Sequence, residues 1–510
     1  MMNELLVRIR NHAHQTPNAF ALRDERTELN YAQLIREIDR MDHQITGRRI
    51  GLLMDNSIAW ACLDLAILQR GSIAVPMPGF FTEDQLRHLM TDANLDEIVT
   101  DQPERVAALL NHPMVEDLPV AGYALSRFKR EPLAASSYLP PDTAKITYTS
   151  GTTGKPKGVC LSSKTLIKVT KSLCEAVGAQ TSDRCLSILP LSTLLENITG
   201  LYAPLWMGAS AQVPSLASCG FTGSSGLRIE ALFATLNWAA PTITVLVPQL
   251  LKVLVMGIKS GIPVPKSLRF IAVGGAPVAQ SLLTEAKNLG LPAFQGYGLS
   301  EAGSVTCLNL PGENRPGSVG KPLQHVQLRI NQDGEVVISG DLHLGYLGTT
   351  ADVRHTEWLT GDLGYLDEDG YLFLVGRKKT AFATAFGRNV APEWVEASLT
   401  SHPSIAQAAV FGEGHPFNVA VLVPRGEISV HGLEQIVHTI NQQLPDYARI
   451  TRWVVANQPF TSANQMLNQS GFVQRQNIYS TYRNQIESFY LPNQESVYDV
   501  LQPAHHRHVN

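Results

Sequence analysis

Short apolar runs that alternate with helix-like segments are the feature that most limits how this chain can fold. Each run favours β-structure and ends near glycine, proline, serine or asparagine, as in RIGLLMDN, GSIAVPM, KITYTS, CLSILPL, ITVLVP and LRFIAVGG. Helix-like segments such as SIAWACLDLAILQR and TEDQLRHLMTDA lie between the runs, and the second opens with a capping threonine, Thr82. This alternation predicts an α/β fold of mostly parallel sheets flanked by helices.

The pattern changes near Arg315. The stretches HVQLRINQDGEVVISG and GDLGYLDEDGYLFLVGR contain D-G turns between short strands, which indicates antiparallel hairpins and a small β-barrel-like part. A smaller α+β region follows. Because 510 residues are too many for one compact core, we expect a large domain over 1–376, a small mobile domain over 377–490 and a polar tail over 491–510.

Charge and composition limit the class of partner. A net charge of -4 gives no electrostatic reason to expect a nucleic acid. The six cysteines are scattered without a C-x-x-C pair, and the N-terminus lacks a signal-peptide core, so a cytoplasmic protein is expected. The most apolar stretch, Pro241 to Ile258, is interrupted by Pro248, Gln249 and Lys252, which predicts a buried strand and a helix rather than a membrane span.

The glycine-rich stretch YTSGTTGKPKGV, from Tyr148 to Val159, follows one of the predicted strands. Its glycines let backbone amides approach an anion, and its hydroxyl side chains and lysines add donors and positive charge. It matches neither G-x-x-x-x-G-K-[ST] nor G-x-G-x-x-G. A flexible linker is the alternative, but the leading strand and the Lys-Pro-Lys exit favour a shaped phosphate-binding loop.

This stretch resembles the signature of the adenylate-forming, or AMP-binding, superfamily of acyl- and aryl-CoA synthetases, adenylation domains and luciferases. Further motifs follow in the family's order over nearly the whole chain: VGGAP from Val273, QGYGLSE from Gln295, RPGSVGKP from Arg315, WLTGDLG from Trp358, GRKK from Gly376 and GRNVAPEWVE from Gly387. On this series the chain is identified as a member of the superfamily.

The resemblance implies roles for residues of these motifs. Catalytic roles fall to Thr152, Lys157, Glu301 and Arg377, and Glu301 would also hold Mg²⁺. Contacts with ATP or AMP fall to Thr149, Ser150, Gly151, Thr153, Gly154, Gly275, Ala276, Pro277, Gly296, Tyr297, Gly298, Ser300 and Asp362. Within that set, Asp362 would hold the ribose hydroxyls and Tyr297 would stack on adenine. Taken alone, Glu301 could be a solvated loop acid, Asp362 an Asx-turn residue and Tyr297 a core tyrosine.

The resemblance also implies a reaction in two steps. A carboxylate attacks the α-phosphorus of ATP, giving acyl-AMP and pyrophosphate, and the acyl group then passes to the thiol of CoA or of a carrier protein's phosphopantetheine arm. The implied partners are a small carboxylic acid and an acyl carrier protein. The family rotates its small domain between the two steps, here about a hinge near Lys379 and Thr380.

The segment LPLSTLLENITGLYAPLWMGA, from Leu189 to Ala209, resembles the LPLSHxxE segment of medium- and long-chain acyl-CoA synthetases. A fatty acid is therefore the first expectation for the substrate, and an aryl acid is the second. The apolar residues Leu194, Ile198 and Leu201 are spaced as on one helix face, where they line an acyl tunnel or belong to the core. Core is the default interpretation.

The chain departs from the family's pattern at several positions. Thr193 replaces the histidine of LPLSH, and Ser163 replaces the histidine that often follows the phosphate loop. Where the family reads approximately N-G-L-L-T-x-T-G-K-x-x-R, this chain reads NQMLNQSGFVQR, which puts Phe472 at the position of the catalytic lysine. No lysine follows Lys379. Because phenylalanine cannot donate charge-assisted hydrogen bonds, we expect impaired adenylation, at a cost of about 2.7–4 kcal/mol.

Two hypotheses follow from this departure. In the first, the protein is an acid–thiol ligase whose adenylation is weak, or is rescued by a partner or another cation. Arg475 matches the family's own downstream arginine, so we expect it to have another function. In the second, it binds a nucleotide or acyl-adenylate without efficient adenylation, as a thioester-forming half-enzyme, a scaffold or a sensor. The ligase is preferred because the hinge and the small domain are also present.

Overall fold

The computed structural model describes residues 4–110, 114–131, 137–149, 156–222, 226–349, 356–386, 388–468 and 471–491. The chain divides into two compact units. Unit 1 comprises Met1–Thr380 and Asn468–Phe472, and unit 2 comprises Ala381–Leu467 and Val473–Asn510. In the structure the boundary follows Thr380, whereas the sequence predicted a boundary after residue 376.

The α-helices begin with an amphipathic helix and are distributed over both units. They are α1 (Glu4–Gln15), α2 (Tyr31–Gln44), α3 (Ile58–Arg70), α4 (Glu83–Asp92), α5 (Pro103–Leu109), α6 (Ser163–Val177), α7 (Leu194–Glu196), α8 (Ala203–Met207), α9 (Ile229–Ala239), α10 (Pro248–Lys259), α11 (Gln280–Asn288), α12 (Pro392–Ser401), α13 (Val430–Asn441) and α14 (Arg475–Ser488). A π-helical segment, Asn197–Tyr202, joins α7 to α8, and 3₁₀ turns occupy Ser300–Ala302 and Asp446–Ala448.

The strands are short, as expected where they alternate with helices. They are β1 (Phe20–Arg23), β2 (Glu28–Asn30), β3 (Arg49–Leu53), β4 (Ile73–Pro76), β5 (Glu97–Thr100), β6 (Met114–Asp117), β7 (Ser126–Lys129), β8 (Thr143–Thr149), β9 (Lys157–Ser162), β10 (Arg184–Leu186), β11 (Ser210–Gln212), β12 (Phe221–Thr222), β13 (Gly226–Leu227), β14 (Ile243–Leu246), β15 (Phe270–Val273), β16 (Ala293–Leu299), β17 (Ser304–Leu308), β18 (Lys321–Pro322), β19 (Val326–Ile330), β20 (Glu335–Gly340), β21 (Gly345–Tyr346), β22 (Glu357–Leu366), β23 (Leu372–Arg377), β24 (Phe382–Ala383), β25 (Asn389–Val390), β26 (Ile405–Phe411), β27 (Asn418–Pro424) and β28 (Ile450–Val455).

Two large sheets form most of unit 1. The nine-stranded sheet has the order β18-β17-β16-β15-β14-β10-β11-β1-β2, and its pairings from β16 through β1 are parallel. The eight-stranded sheet has the order β21-β9-β8-β4-β3-β5-β7-β6, with β8, β4, β3 and β5 parallel. The predicted α/β fold with mostly parallel central strands is confirmed. In such sheets ligands bind beyond the carboxyl ends of the strands.

A four-stranded antiparallel sheet completes unit 1, in the order β19-β20-β22-β23. Its hairpins are the two predicted from the D-G turns. In the first turn the Asn331 side chain accepts hydrogen bonds from the amides of Asp333 at 3.0 Å and Glu335 at 2.9 Å. This Asx arrangement replaces strand pairing at the turn and thereby sets the register of β19 against β20.

Individual helices follow from local sequence signals. Thr82 and Gln85 form the reciprocal capping box that begins α4, as the capping threonine predicted. The apolar stretch from Pro241 folds as β14 followed by α10, also as predicted. No helix in the described ranges is long and apolar enough to cross a membrane.

Unit 2 is a smaller α+β body. Its three-stranded sheet has the order β26-β27-β28, with β26 and β27 antiparallel and β27 and β28 parallel. Two hydrophobic clusters pack on it. One holds Val395 and Leu433 from α12 and α13, and the other holds Ile478 and Tyr482 from α14. The clusters of unit 1 contain no residue of unit 2 among those described.

Candidate functional site

Asp362 is the centre of the best-defined polar site in unit 1. It lies on β22 opposite Arg377 of β23, and its Oδ1 is 2.8 Å from Arg377 Nε. The Tyr297 hydroxyl of β16 donates a hydrogen bond of 2.6 Å to Asp362 Oδ2. Asp362 is only 5% exposed, whereas the Arg377 side chain is 57% exposed. The structure thus brings together three residues that the sequence placed around the nucleotide.

Burial decides the proton state of the tyrosine. It raises the pKa of Tyr297 well above the ordinary value, and the charge of Asp362 raises it further. Burial also raises the pKa of Asp362, against the opposing effects of Arg377 and of the Tyr297 hydroxyl. Tyr297 therefore stays a hydrogen-bond donor that holds the Asp362 carboxylate in place. Its stacking on adenine stays a prediction.

A glycine turn follows β15 and lies beside β16. The two strands are parallel, with Val273 opposite Gln295, so Gly274 comes next to Gly296. A Cβ at Gly274 would lie 3.2 Å from the Gly296 carbonyl oxygen, and Gly275 adopts a φ of +79°. Gly275, Ala276 and Pro277 are exposed. The turn therefore packs closely on the neighbouring strand, and Gly274 leaves no side chain between the two backbones.

Gly298 is required for the fold of β16. A Cβ there would lie 1.6 Å from the Ser304 carbonyl oxygen of β17, so no other residue fits. The register between β16 and β17 shifts between Tyr297 and Gly298. The chain then enters the 3₁₀ turn that carries Ser300 and Glu301.

Glu301 has a partner that the sequence did not single out. The Tyr346 hydroxyl of β21 donates a hydrogen bond of 2.7 Å to Glu301 Oε1. Burial and the charge of Glu301 both raise the pKa of Tyr346, so the hydroxyl keeps its proton. Lys157 Nζ lies 5.6 Å from the centre of the Tyr346 ring. Tyr346 therefore lies close to both predicted catalytic residues, Lys157 and Glu301.

The glycine-rich stretch connects two paired strands. Thr149, the last residue of β8, is opposite Lys157, the first residue of β9. Four residues between them that were predicted to contact ATP, Ser150, Gly151, Thr153 and Gly154, lie outside the described residues, as does Thr152, which was predicted to be catalytic. The flanking strands confirm that a strand leads into this stretch.

A buried polar network lies behind β8, and sequence reasoning missed it. Lys145 Nζ is 2.7 Å from Asp64 Oδ1 of α3 and donates a hydrogen bond of 2.6 Å to Asn197 Oδ1. The Tyr202 hydroxyl donates to Asp64 Oδ2 at 2.6 Å. Burial lowers the pKa of Lys145, while Asp64 raises it. The network joins β8, α3 and the π-helical segment.

The donor set fits Mg²⁺ carried with the phosphates of a nucleotide. Glu301 supplies a carboxylate, one oxygen of which is oriented by Tyr346. The described ranges contain no cluster of three or more His, Cys, Asp or Glu that could hold a metal ion by itself. Magnesium in nucleotide sites is bound by one or two carboxylates together with substrate phosphates, so a single acid is sufficient.

In the C-terminal region, Phe472 lies near the end of a short hairpin closed by the bridge between Leu467 and Val473. The backbone carbonyl of Phe472 accepts from the Asn468 amide at 2.8 Å, and its own amide donates to Asn468 Oδ1 at 2.9 Å. The side chain is 50% exposed. The hairpin therefore depends on backbone groups and on Asn468, not on the phenyl ring.

Arg475 lies in unit 2, and its guanidinium is bonded to acids of that unit. Its Nη2 donates to both carboxylate oxygens of Glu396, at 2.6 and 2.7 Å, and its Nη1 lies 3.2 Å from Glu393. Glu396 Oε1 also accepts from the Val410 amide. These bonds tie α14 to α12 and β26, so the guanidinium already has a structural function.

Comparison with known proteins defines the class. The family model described as AMP-binding enzyme matches residues 9–347, and the model for the AMP-binding enzyme C-terminal domain matches residues 381–494. The chain belongs to the AMP-binding enzyme family.

Individual relatives and structures were also found. The 2-succinylbenzoate–CoA ligase of Bacillus cereus strain AH820 is 30% identical over 485 residues, covering 88% of this chain and 93% of the relative. The o-succinylbenzoate CoA synthetase of Bacillus subtilis, solved with its acyl-adenylate, has a TM-score of 0.73 at 23% identity over 94% and 98% of the two chains. An anthranilate CoA ligase solved with anthranoyl-AMP has a TM-score of 0.77 at 22% identity over 94% and 98%.

These relatives correct the expected position within the family. The segment from Leu189 pointed to medium- and long-chain acyl-CoA synthetases, but the relatives are named as ligases of a benzoate. The apolar residues of that segment, Leu194, Ile198 and Leu201, are buried in the main hydrophobic cluster of unit 1. The default interpretation of these residues as core is what the structure shows.

Proposed function

We propose that this protein is an ATP-dependent acid–CoA ligase that activates an aromatic carboxylic acid through an acyl-adenylate. The observation that carries the proposal is the enclosed carboxylate of Asp362, held between Arg377 and Tyr297 in a chain of the AMP-binding family. Relatives that align over most of both chains are named as CoA ligases.

The nucleotide would bind across the turn after β15 and the adjacent β16. Gly275, Ala276 and Pro277 would form one side of an adenine site. Asp362 has lone pairs beyond those used by its two partners, so it would accept hydrogen bonds from the ribose hydroxyls. Arg377, which is half-exposed, would place positive charge beside the ribose and the phosphates.

The phosphates would lie toward Ser300, Glu301 and Lys157. Mg²⁺, when bound, would neutralise phosphate charge during attack of the carboxylate. Glu301 would hold that ion, and Tyr346 would keep the Glu301 carboxylate in one orientation. Lys157 would add a second positive charge, with the hydroxyl and amide groups of 149–154 as the remaining phosphate contacts.

For the acid, an aryl carboxylate has more support than a fatty acid. The relatives act, by name, on 2-succinylbenzoate, and one similar fold is that of an anthranilate ligase. For the thiol acceptor, the names of these proteins favour CoA. A carrier protein's phosphopantetheine arm has no comparable support.

Phe472 distinguishes this protein from an ordinary member of its family. We propose that the adenylation step is slow because a half-exposed phenyl ring stands where the family has a lysine. Arg475 is engaged with Glu393 and Glu396, so it does not replace that lysine. A nucleotide- or acyl-adenylate-binding protein without efficient adenylation is therefore the second candidate.

The test is formation of a CoA thioester. Purified protein is given ATP, Mg²⁺ and CoA with 2-succinylbenzoate, 2-aminobenzoate or octanoate, and separately CoA with a synthetic aryl-adenylate. We expect slow thioester formation from an aryl acid and faster formation from the adenylate. Absence of thioester from both routes would contradict the ligase and favour the second candidate.

A matched variant tests the nucleotide site. Asp362→Ala removes the carboxylate that would accept the ribose hydroxyls, so we expect weaker ATP binding in a calorimetric titration. The control is Arg329→Ala. This change removes an exposed ion pair between Arg329 and Glu357, which lies away from the nucleotide site. Equal ATP affinity of Asp362→Ala and the native chain would remove Asp362 from the ribose site.

A further inference from the structure

A short segment, residues 343–347, joins the turn that carries Glu301 to the strand that carries Lys157. The His343 amide donates a hydrogen bond of 2.8 Å to the backbone carbonyl of Glu301. Three residues further on, the Tyr346 hydroxyl donates a hydrogen bond of 2.7 Å to Glu301 Oε1. One segment, which we call the clamp segment, therefore holds Glu301 by its backbone and by its carboxylate.

The clamp segment is also paired with the eight-stranded sheet. Its strand β21 is antiparallel to β9, with Tyr346 opposite Val159. The Leu347 amide donates a hydrogen bond of 2.8 Å to the carbonyl of Gly158, the residue after Lys157. The turn that carries the glutamate follows β16, which belongs to the nine-stranded sheet. The clamp segment thus fixes the start of β9 relative to a turn of the other large sheet.

The ring of Tyr346 packs with two other aromatic side chains. Its centre is 5.4 Å from that of His343 and 5.9 Å from that of Trp358, and the latter two centres are 4.6 Å apart. Lys157 Nζ lies 5.6 Å from the centre of the Tyr346 ring, within the range of a cation–π contact. Tyr346 therefore contacts Glu301 through its hydroxyl and Lys157 through its ring.

These two contacts concern groups that would neutralise the charge of one nucleotide. Glu301 would hold Mg²⁺, and Lys157 would lie beside the phosphates. Removal of a group that orients a metal-binding side chain typically lowers metal affinity by about 10- to 100-fold. A long cationic side chain that is already held over a ring loses less conformational entropy when it binds an anion.

We propose that Tyr346 is a positioning residue for both groups, acting on Glu301 through its hydroxyl and on Lys157 through its ring. The inference rests on the proposed function and adds to it the side chain that sets the metal-binding and the phosphate-binding group in register. It follows that the hydroxyl governs how much Mg²⁺ strengthens nucleotide binding, and that the ring governs nucleotide affinity without metal. The two effects are separable by substitution.

Binding of α,β-methylene-ATP, which cannot be adenylated onto an acid, measures both effects without turnover. The analogue is titrated calorimetrically into the full chain, once with excess Mg²⁺ and once with EDTA. For Tyr346→Phe we expect native affinity in EDTA and a gain from Mg²⁺ that is about tenfold smaller than in the native chain. For Tyr346→Leu we expect the same smaller gain and, in EDTA, about threefold weaker binding, because Lys157 loses the ring.

Three further variants are matched controls. Tyr365→Phe removes the hydroxyl of a half-exposed tyrosine elsewhere in unit 1 and should match the native chain in both titrations. In a Lys157→Ala background, Tyr346→Leu should cause no further loss in EDTA, because the ring acts through that lysine. Glu301→Gln should lose the gain from Mg²⁺.

The remaining outcomes separate this inference from the proposed function. An undiminished gain from Mg²⁺ in Tyr346→Phe, together with its loss in Glu301→Gln, would overturn the inference and leave the assigned role of Glu301 standing. Equal weakening of Tyr346→Phe in both titrations would show a merely structural role and would also overturn the inference. A native gain in Glu301→Gln, or no binding of the analogue by the native chain, would overturn the inference together with the proposed nucleotide site.

Discussion

At the scale of single residues, Glu196 gives a prediction for stability. Glu196 ends α7 and is fully buried, and this burial raises its pKa from 4.5 to about 8. The folded protein therefore keeps a proton that the unfolded chain releases. As a result, the free energy of unfolding falls as the pH rises between 4.5 and about 8. This shift in the pKa of Glu196 corresponds to a loss of up to about 5 kcal/mol in the free energy of unfolding across that pH range. The neighbouring thiols of Cys185 and Cys219 stay protonated, because burial raises their pKa values too.

Glu196→Gln should remove this loss. We expect the native chain to be markedly less stable at pH 8 than at pH 5.5, and the variant to show a much smaller difference. Urea unfolding at the two pH values measures both. The prediction is wrong if the two proteins lose the same stability between pH 5.5 and pH 8.

Phe472 gives a prediction for rate. Phe472→Lys restores a cation on a hairpin whose hydrogen bonds come from the backbone and Asn468, so the hairpin should be retained. We expect pyrophosphate release with an aryl acid to rise at least tenfold, which is about 1.4 kcal/mol of activation free energy. Phe472→Leu, which changes the ring without adding charge, is the control. An equal rise in both variants, or no rise in Phe472→Lys, would contradict the assigned role of this position.

At the scale of secondary-structure elements, the ion pair of Lys145 and Asp64 joins β8, α3 and the π-helical segment. Both side chains are fully buried, so removal of one leaves an uncompensated charge. We expect Lys145→Met to lower the free energy of unfolding by about 3–5 kcal/mol. The measurement is urea unfolding at neutral pH.

A double variant separates charge from packing in this network. If the penalty in Lys145→Met comes from the unpaired Asp64 carboxylate, Lys145→Met with Asp64→Leu should recover more than half of it. A double variant that is less stable than the single one would show instead that the ion pair itself supplies the stability.

At the scale of the whole molecule, the two compact units have separate hydrophobic cores. We therefore expect two transitions in differential scanning calorimetry. The residues proposed to contact AMP lie in unit 1, so AMP should raise the temperature of the larger transition and leave the smaller one unchanged. AMP at one hundred times its dissociation constant corresponds to about 2.7 kcal/mol.

The Asp362→Ala protein is the control for that experiment, and its larger transition should respond less to AMP. A single transition, or an equal shift of both transitions with AMP, would contradict the assignment of separate units with the nucleotide in unit 1.

Much of the fold and part of the site could be predicted from the sequence. The alternation of β-rich runs and helical segments predicted the parallel sheets, and the D-G turns predicted the hairpins. These features are local: a glycine, a proline or a capping threonine limits the backbone dihedral angles of its own neighbourhood. Resemblance to the motifs of the AMP-binding superfamily likewise singled out Asp362, Glu301, Lys157 and Tyr297.

Only the tertiary structure decided which of these residues have partners. Tyr297 meets Asp362, and Tyr346 meets Glu301, because particular strands pair in a particular register across long separations in sequence. The burial of Glu196 and of Lys145 could not be predicted from the sequence either. The identity of a charged residue does not show which distant segments of the chain pack against it. By itself the sequence determined the family, the strand and helix pattern and the absence of a lysine after Lys379. Long-range packing decided which side chains are paired and which are buried, and burial in turn set their protonation states.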